Sequence, residues 1–251
     1  MRIPRIYTHQ ALEAGGEVVL EASAARHLMS VLRLKPGDAL ILFNGRGGEF
    51  SARLLTPEGK QVRVQVEQHQ AGSPPSPLAI TLAVGLSKGD RMDWVIQKAV
   101  ELGVQRICPL FTKRSEVKLK GQRTERKLRH WQAIAQSACE QSGLNFVPRI
   151  DTPQNLEAVI VEPDLAASAC KLILVPRTER SLAALLSSWP DKPPASAVLF
   201  SGPEGGFSDE EVALLMAREV IPVCLGPRVL RAETAPLAAC ALLQSHWGDW
   251  R

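Results

Sequence analysis

Residues 197–237, AVLFSGPEGGFSDEEVALLMAREVIPVCLGPRVLRAETAPL, constrain this chain more than any other stretch. They contain two glycine-rich turns, GPEGG at 202–206 and LGPRVLR at 225–231. Each turn follows a short apolar, β-branched run (197–201 and 220–225), and each leads into a helix-like segment. Ser208 is placed to cap the first helix. Asp209, Glu210 and Glu211 crowd its first turn, where the backbone dipole favours negative charge. The second helix, 232–243, is rich in alanine and leucine and tolerates Pro236 near its start. Strand, glycine turn and helix, twice in succession, predict a ligand crevice at the carboxyl ends of parallel strands.

Glycines at strand ends let backbone groups approach a small molecule without a Cβ in the way. The sequence has no G-x-x-x-x-G-K-[ST] loop, and GPEGGF does not fit a dinucleotide fingerprint. Three carboxylates at the start of the first helix would repel a polyphosphate, so a neutral or cationic ligand is expected. Either turn alone also fits an ordinary βα connection. The pair, with the charged LRAET segment between the second turn and its helix, favours a site.

With 251 residues, 45% of them hydrophobic, the chain can build one large or two smaller globular domains. MRIPRIYTHQ lacks an apolar core, so no secretory signal is expected, and no apolar run is long enough to span a membrane. The five cysteines are widely spaced, without a C-x-x-C pair, and the five histidines form no H-x-x-x-H pair. A reduced, cytoplasmic protein without metal is expected, its thiols serving as small buried side chains. The net charge of +4 is unevenly spread. Residues 113–129 carry Lys113, Arg114, Lys118, Lys120, Arg123, Arg126, Lys127 and Arg129, opposed by Glu116 and Glu125. Such a run fits a solvated face or an RNA contact.

Along the chain, residues 1–70 read as β-rich. Short strands at 40–43, 49–55 and 61–66 are separated by the turn sequences NGRGG (44–48) and PEGK (57–60). One helix is expected at 23–34, capped by Ser23 and stopped by Pro36 and Gly37. Together they suggest a small barrel, with Arg2, Arg5, Arg26, Arg33, Lys35, Arg46 and Arg53 available to one face. AGSPPSP (71–77) is the linker candidate. From 78 onward strands alternate with helices: strands at 78–84, 106–111 and 171–175, and helices at 88–103, 125–142 and 181–186, the last capped by Ser181. This alternation predicts an α/β domain with a largely parallel sheet. Trp131 falls on the stripe of Leu128, Ile134, Ala135 and Ala138, and reads as core rather than as a base-stacking platform.

SGPEGGFSDEE and LGPRVLRAETAPLAA resemble the RsmE family, S-adenosylmethionine-dependent 16S rRNA uridine-N3 methyltransferases of the knotted SPOUT class. MRIPRIY (1–7), VLRLKPGD (31–38), LFNG (42–45), KGDRMDWVIQKAVELGV (88–104) and ACEQSG (138–143) resemble RsmE segments in the same order. The resemblance implies a PUA-like RNA-binding β-barrel domain over 1–72. It implies a SPOUT methyltransferase domain over 73–251, with a trefoil knot. It also implies a homodimer and, as substrate, 16S rRNA within the assembled small ribosomal subunit.

The loops after three strands would hold S-adenosylmethionine. The first supplies Leu174, Val175, Pro176 and Arg177. The second supplies Ser201, Gly202, Pro203, Glu204, Gly205 and Gly206. The third supplies Leu225, Gly226, Arg228 and Leu230, followed by Thr234. Arg2, Arg5, Arg26, Arg33, Lys113, Arg114, Lys118, Lys120 and Arg123 are the RNA candidates.

N3 of uracil must lose a weakly acidic proton, so the reaction needs an acceptor or a group that stabilises the anion. Arg231 is the candidate for stabilising the carbonyl oxygens. Glu233 has three readings: base, helix cap, or partner of Arg231. Glu204 either faces the sulfonium or shapes the turn. N3 methylation needs no cysteine nucleophile. Other classes that fit the sequence are a non-catalytic RNA-binding protein, a nucleotide-using enzyme, and a knotted methyltransferase for tRNA or ribose.

Overall fold

A computed structural model describes residues 3–57, 59 and 61–250. Arg2 of the RNA candidates lies outside the described residues, as do Glu58 and Lys60 of the PEGK turn. The chain divides into two compact units, Met1–Pro75 with Gln136–Val147, and Ser76–Ala135 with Pro148–Arg251.

The first unit is built on five strands: β1 (Arg5–Tyr7), β2 (Glu17–Val19), β3 (Ala39–Phe43), β4 (Glu49–Leu54) and β5 (Arg63–Gln70). They pair in the order β1-β3-β4-β5-β2, antiparallel except for β1 with β3. The sheet curls as a half-barrel, with β1 and β2 at its edges. Side chains alternate across a strand, so Leu40 and Leu42, Ala52 and Leu54, and Val64 and Val66 fall on one buried face. Burial of each leucine or valine there contributes about 1.5–3 kcal/mol.

Helix α1 (Ala22–Arg26) runs into a π-helical turn, His27–Val31. The expected cap is corrected here: Glu21 occupies the N-cap position, and Ser23 lies inside the helix. Arg5 is also placed differently from the expectation. Its side chain is only 8% exposed, bonded to Glu49 and Asn145, with its guanidinium 5.0 Å from the Phe43 ring. It braces this unit rather than offering its charge to a phosphate. Arg26 and Arg33 are exposed.

The second unit contains β6 (Ala79–Gly85), α2 (Arg91–Glu101), β7 (Arg106–Phe111) and the greater part of α3 (Gln122–Ser142), whose residues from Gln136 onward belong to the first unit. The short β8 (Arg149–Ile150), β9 (Gln154–Asn155), α4 (Leu156–Val159) and α5 (Pro163–Ala166) follow. Then come β10 (Cys170–Leu174), α6 (Leu182–Ser187), β11 (Ser196–Ser201), α7 (Asp209–Met216), β12 (Ile221–Val223) and α8 (Thr234–Trp247). All its strand pairs are parallel, in the order β12-β10-β11-β6-β7-β8, with β9 also on β7.

Ala83, Leu110, Ile173, Val198 and Phe200 form one core cluster with residues of α4, α5 and α7. The alternate residues Leu82, Ile107, Leu172 and Leu199 are fully buried on the opposite face, where α8 packs on β6, β11, α2 and α6. The caps at Ser181 and Ser208 form as the spacing predicts. Trp131 is 2% exposed, and its indole N–H donates to Asp93 at 3.1 Å. Burial pushes the thiols of Cys170 and Cys240 up to about 12, which suits inert packing rather than chemistry.

Cys224 N–H donates to Arg180 O at 3.0 Å, and Leu182 N–H donates to Cys224 O at 2.8 Å. The end of β12 is thereby bound against the loop after β10, before the chain turns back to α8.

Candidate active site

The carboxyl ends of β10, β11 and β12 surround a cavity of about 390 Å³. Its walls are residues 174–176, 201–207, and 223–226 with 228–230. Every residue expected at the cofactor lines it except Arg177 and Thr234. Arg177 is exposed at φ 61°, and Thr234 is exposed at the start of α8. Close backbone packing sets the shape. A Cβ on Gly85, at the end of β6, would lie 2.4 Å from Pro203 Cδ and 2.6 Å from its nitrogen. Gly226 has φ 109°, a conformation that L side chains rarely adopt.

The three carboxylates at the start of α7 have separate tasks. Glu211 is 3% exposed and works inward: it accepts from Ser208 N–H at 2.7 Å and from Lys113 N–H at 2.8 Å, while its own N–H donates to Ser208 Oγ at 3.2 Å. One side chain thus closes the capping box and ties α7 to the loop after β7. That tie brings Arg114 to the rim, where its guanidinium donates to Gly205 O at 3.1 Å. Glu210 is exposed and pairs with Lys113 at 3.5 Å. Asp209 lines the cavity. The negative charge offered to a ligand here is therefore that of Asp209, not of all three.

Sequence reasoning missed Arg91. Its guanidinium bonds Glu204 and lies 4.0 Å from Glu233, which is itself 4.0 Å from Arg231. Lys88 N–H also donates to Glu204 at 3.2 Å. Burial raises the Glu204 carboxyl, but its own backbone N–H, Arg91 and the Lys88 N–H outweigh this and hold it below the usual carboxylate range. Glu204 therefore shapes the turn through Arg91. Arg91 opens α2, where the helix dipole disfavours a cation, and Glu204 supplies the compensating charge; no local sequence pattern marks the pair. The helix starts at Arg91 and not at Lys88 as expected, because Lys88 N–H is bonded to Glu204 and Gly89 has φ 63°, outside the helical region. Glu233 sits at the N-cap of α8, yet its side chain makes no capping hydrogen bond. Arg231 is 83% exposed, beyond the cavity lining. Lys113, Arg114, Lys118, Lys120 and Arg123 are all exposed.

The cavity fits a nucleoside-sized ligand with a compact cation. Its volume lies at the lower end of the usual range for small-molecule sites, and its walls mix aliphatic side chains with strand-end backbone. Among the described residues no cluster of His, Cys, Asp and Glu could hold a metal ion, and no helix is long and apolar enough to cross a membrane.

Residues 74–244 match the family model of an RNA methyltransferase domain, and residues 20–67 that of an RNA methyltransferase PUA domain. Ribosomal RNA small subunit methyltransferase E of Buchnera aphidicola (from Schizaphis graminum) is 34% identical, covering 99% of this chain and 98% of that one. The Bacillus subtilis protein of the same name is 30% identical, covering 94% and 93%. A crystal structure of the Neisseria gonorrhoeae methyltransferase E bound to S-adenosyl methionine is 37% identical, covers both chains fully and superposes with a TM-score of 0.89. With that likeness running through both units and the strand-end cavity, the chain belongs to the ribosomal RNA small subunit methyltransferase E family of RNA methyltransferases.

Proposed function

We propose that this protein transfers the methyl group of S-adenosylmethionine to N3 of a uridine in 16S rRNA. The observation that carries this reading is the cavity where three strand-end loops converge, with LRAET emerging at its edge. Leu174, Val175, Leu225 and Leu230 would enclose the adenosyl group, and Asp209 would offer the carboxylate suited to a cation. Bound there, S-adenosylmethionine supplies an already activated methyl group, so the protein's task is positioning and charge.

Arg231, exposed beyond the cavity edge, would meet the carbonyl oxygens of uracil as N3 loses its proton. Of the three readings of Glu233, the geometry supports pairing: set between Arg91 and Arg231, it restrains where the Arg231 guanidinium can go. The proton at N3 then leaves to solvent or to Glu233. Lys113, Arg114, Lys118, Lys120 and Arg123, with Arg26 and Arg33 of the first unit, would hold the RNA backbone.

The substrate is the assembled small subunit, in the cytoplasm, and the enzyme is a homodimer. Exposed apolar side chains on two helices that pack together, Trp94 of α2 (52% exposed) and Leu242 of α8 (40% exposed), support the dimer. The test is methyl transfer from labelled cofactor to small subunits from cells lacking the gene, followed by mass mapping. A single N3-methyluridine in 16S rRNA is the expected product. Cofactor binding without any transfer would favour a non-catalytic RNA-binding protein, and modified ribose or tRNA would reassign the substrate.

A further inference from the structure

A second cavity in the same unit, of about 500 Å³, has no part in the chemistry above. Residues 86–90 form one wall, residues 116–119 another, and the first turns of α3 a third. Its floor is apolar and buried: Leu86, Met92, Leu119 and Trp131 are 1%, 2%, 6% and 2% exposed. Because the Trp131 N–H is committed to Asp93, the ring leaves no polar atom unsatisfied beneath the cavity. The rim is charged, but unevenly. Lys88 pairs with Glu116, and Lys127 lies 3.8 Å from Asp93. Lys118 and Arg123 have no ion-pair partner among the described residues, nor has Asp90, so the unpaired groups of the rim carry one net positive charge.

An apolar floor beneath a rim of net positive charge complements a base with its phosphate, the combination by which proteins hold single-stranded nucleic acid. A purely solvated charged face would have no such floor. A docking apolar helix would leave that net charge without counter-charge. The position is equally telling. Ser115 Oγ donates to Leu86 O at 2.9 Å, which fixes the wall, and the same segment reaches Glu204 of the cofactor cavity through Lys88 N–H and Arg91. One loop therefore separates the two cavities.

We propose that the second cavity is a nucleotide subsite. It takes an unstacked RNA nucleotide neighbouring the target, its base against Val117 and the edge of Leu119 and its phosphate on Lys118 and Arg123. This rests on the RNA methyltransferase reading and assigns the basic run a defined occupant. Holding a neighbour in this way would fix the strand while the target base is turned out toward Arg231 at the edge of the first cavity.

The test compares two double variants of equal charge change, Lys118→Ala with Arg123→Ala, and Arg126→Ala with Arg129→Ala. The second pair lies on the same basic run but outside the cavity. Anisotropy with a uridine-rich RNA hexanucleotide, and methyl transfer to small subunits, are the readouts. The first pair should weaken hexanucleotide binding and raise KM for subunits by about tenfold, and lower the salt slope by roughly 0.7, with cofactor affinity unchanged. The second pair should change KM by less than about twofold. Val117→Trp, which fills the cavity without altering charge, should raise KM as the first pair does. Equal effects from the two pairs, or wild-type KM with Val117→Trp, would overturn the subsite. Cavity-dependent hexanucleotide binding by a wild-type protein that methylates no subunit would instead fault the enzymatic reading and leave the subsite standing.

Discussion

Arg91 holds together groups that the sequence presents more than a hundred residues apart. Its loss should release Glu204 and Glu233 at once. Arg91→Ala should lower cofactor affinity on the order of tenfold, because a turn that is merely allowed binds less well than one held in place. Calorimetry on the folded variant checks this, and wild-type affinity would confine Arg91 to a surface pairing. The Glu204 contact also carries a pH signature. A carboxyl held below its ordinary value of 4.5 keeps its contribution above that value and loses it as pH falls through the folded one. Cofactor affinity should therefore stay level down to about pH 5 and fall only in more acidic solution.

Arg231 should behave differently. Arg231→Ala should bind cofactor normally but lose on the order of a hundredfold in single-turnover rate, comparable to losing one oxyanion donor. Lysine should restore little, and raised pH should partly rescue the variant if Arg231 assists loss of the N3 proton. Normal turnover with weak RNA binding would make it a phosphate clamp. At this scale the glycine loops were legible because their spacing after β-branched runs is itself the constraint. Arg91 was not, since its partners come from residues 204 and 233 and no local pattern joins them.

Among the elements, α7 is joined to its surroundings by one buried side chain. Glu211→Ala would leave Ser208 and Lys113 N–H groups without acceptors in a site 3% exposed. It should destabilise the protein by about 1–3 kcal/mol, read by urea denaturation. Glutamine, which keeps one acceptor oxygen, should recover part of the loss. A variant as stable as wild type would mean that water replaces the carboxylate. The long strands and helices of the second unit were legible from period and caps, as at Ser181 and Ser208. β1, β2, β8, β9, α4 and α5 were not, because elements of two to four residues carry no measurable period. The π-helical turn after α1 was hidden for a related reason: its side chains keep a helical pattern while the backbone bonding shifts.

At the scale of the whole molecule, self-association is the most direct prediction. Trp94→Asp combined with Leu242→Asp should convert a dimer to a monomer in sedimentation, with secondary structure retained. A variant that still sediments as a dimer would move the interface to another face. The strand order has a further consequence, for the timing of synthesis. β6 pairs with β7, made next, but its other neighbour is β11, and β10 must wait for β12, so some neighbours in the sheet are far apart in the chain. Pairings of that kind form slowly, because distant segments must meet before any contact repays the ordering. The cavity needs residues 223–230 for its third wall, and α8 lies across strands made much earlier. A nascent chain still short of α8 can hold several strands and yet grip no cofactor. Methyl-donor binding would thus begin only once translation has passed the start of α8, so that capture of the donor marks a chain whose catalytic unit is nearly complete.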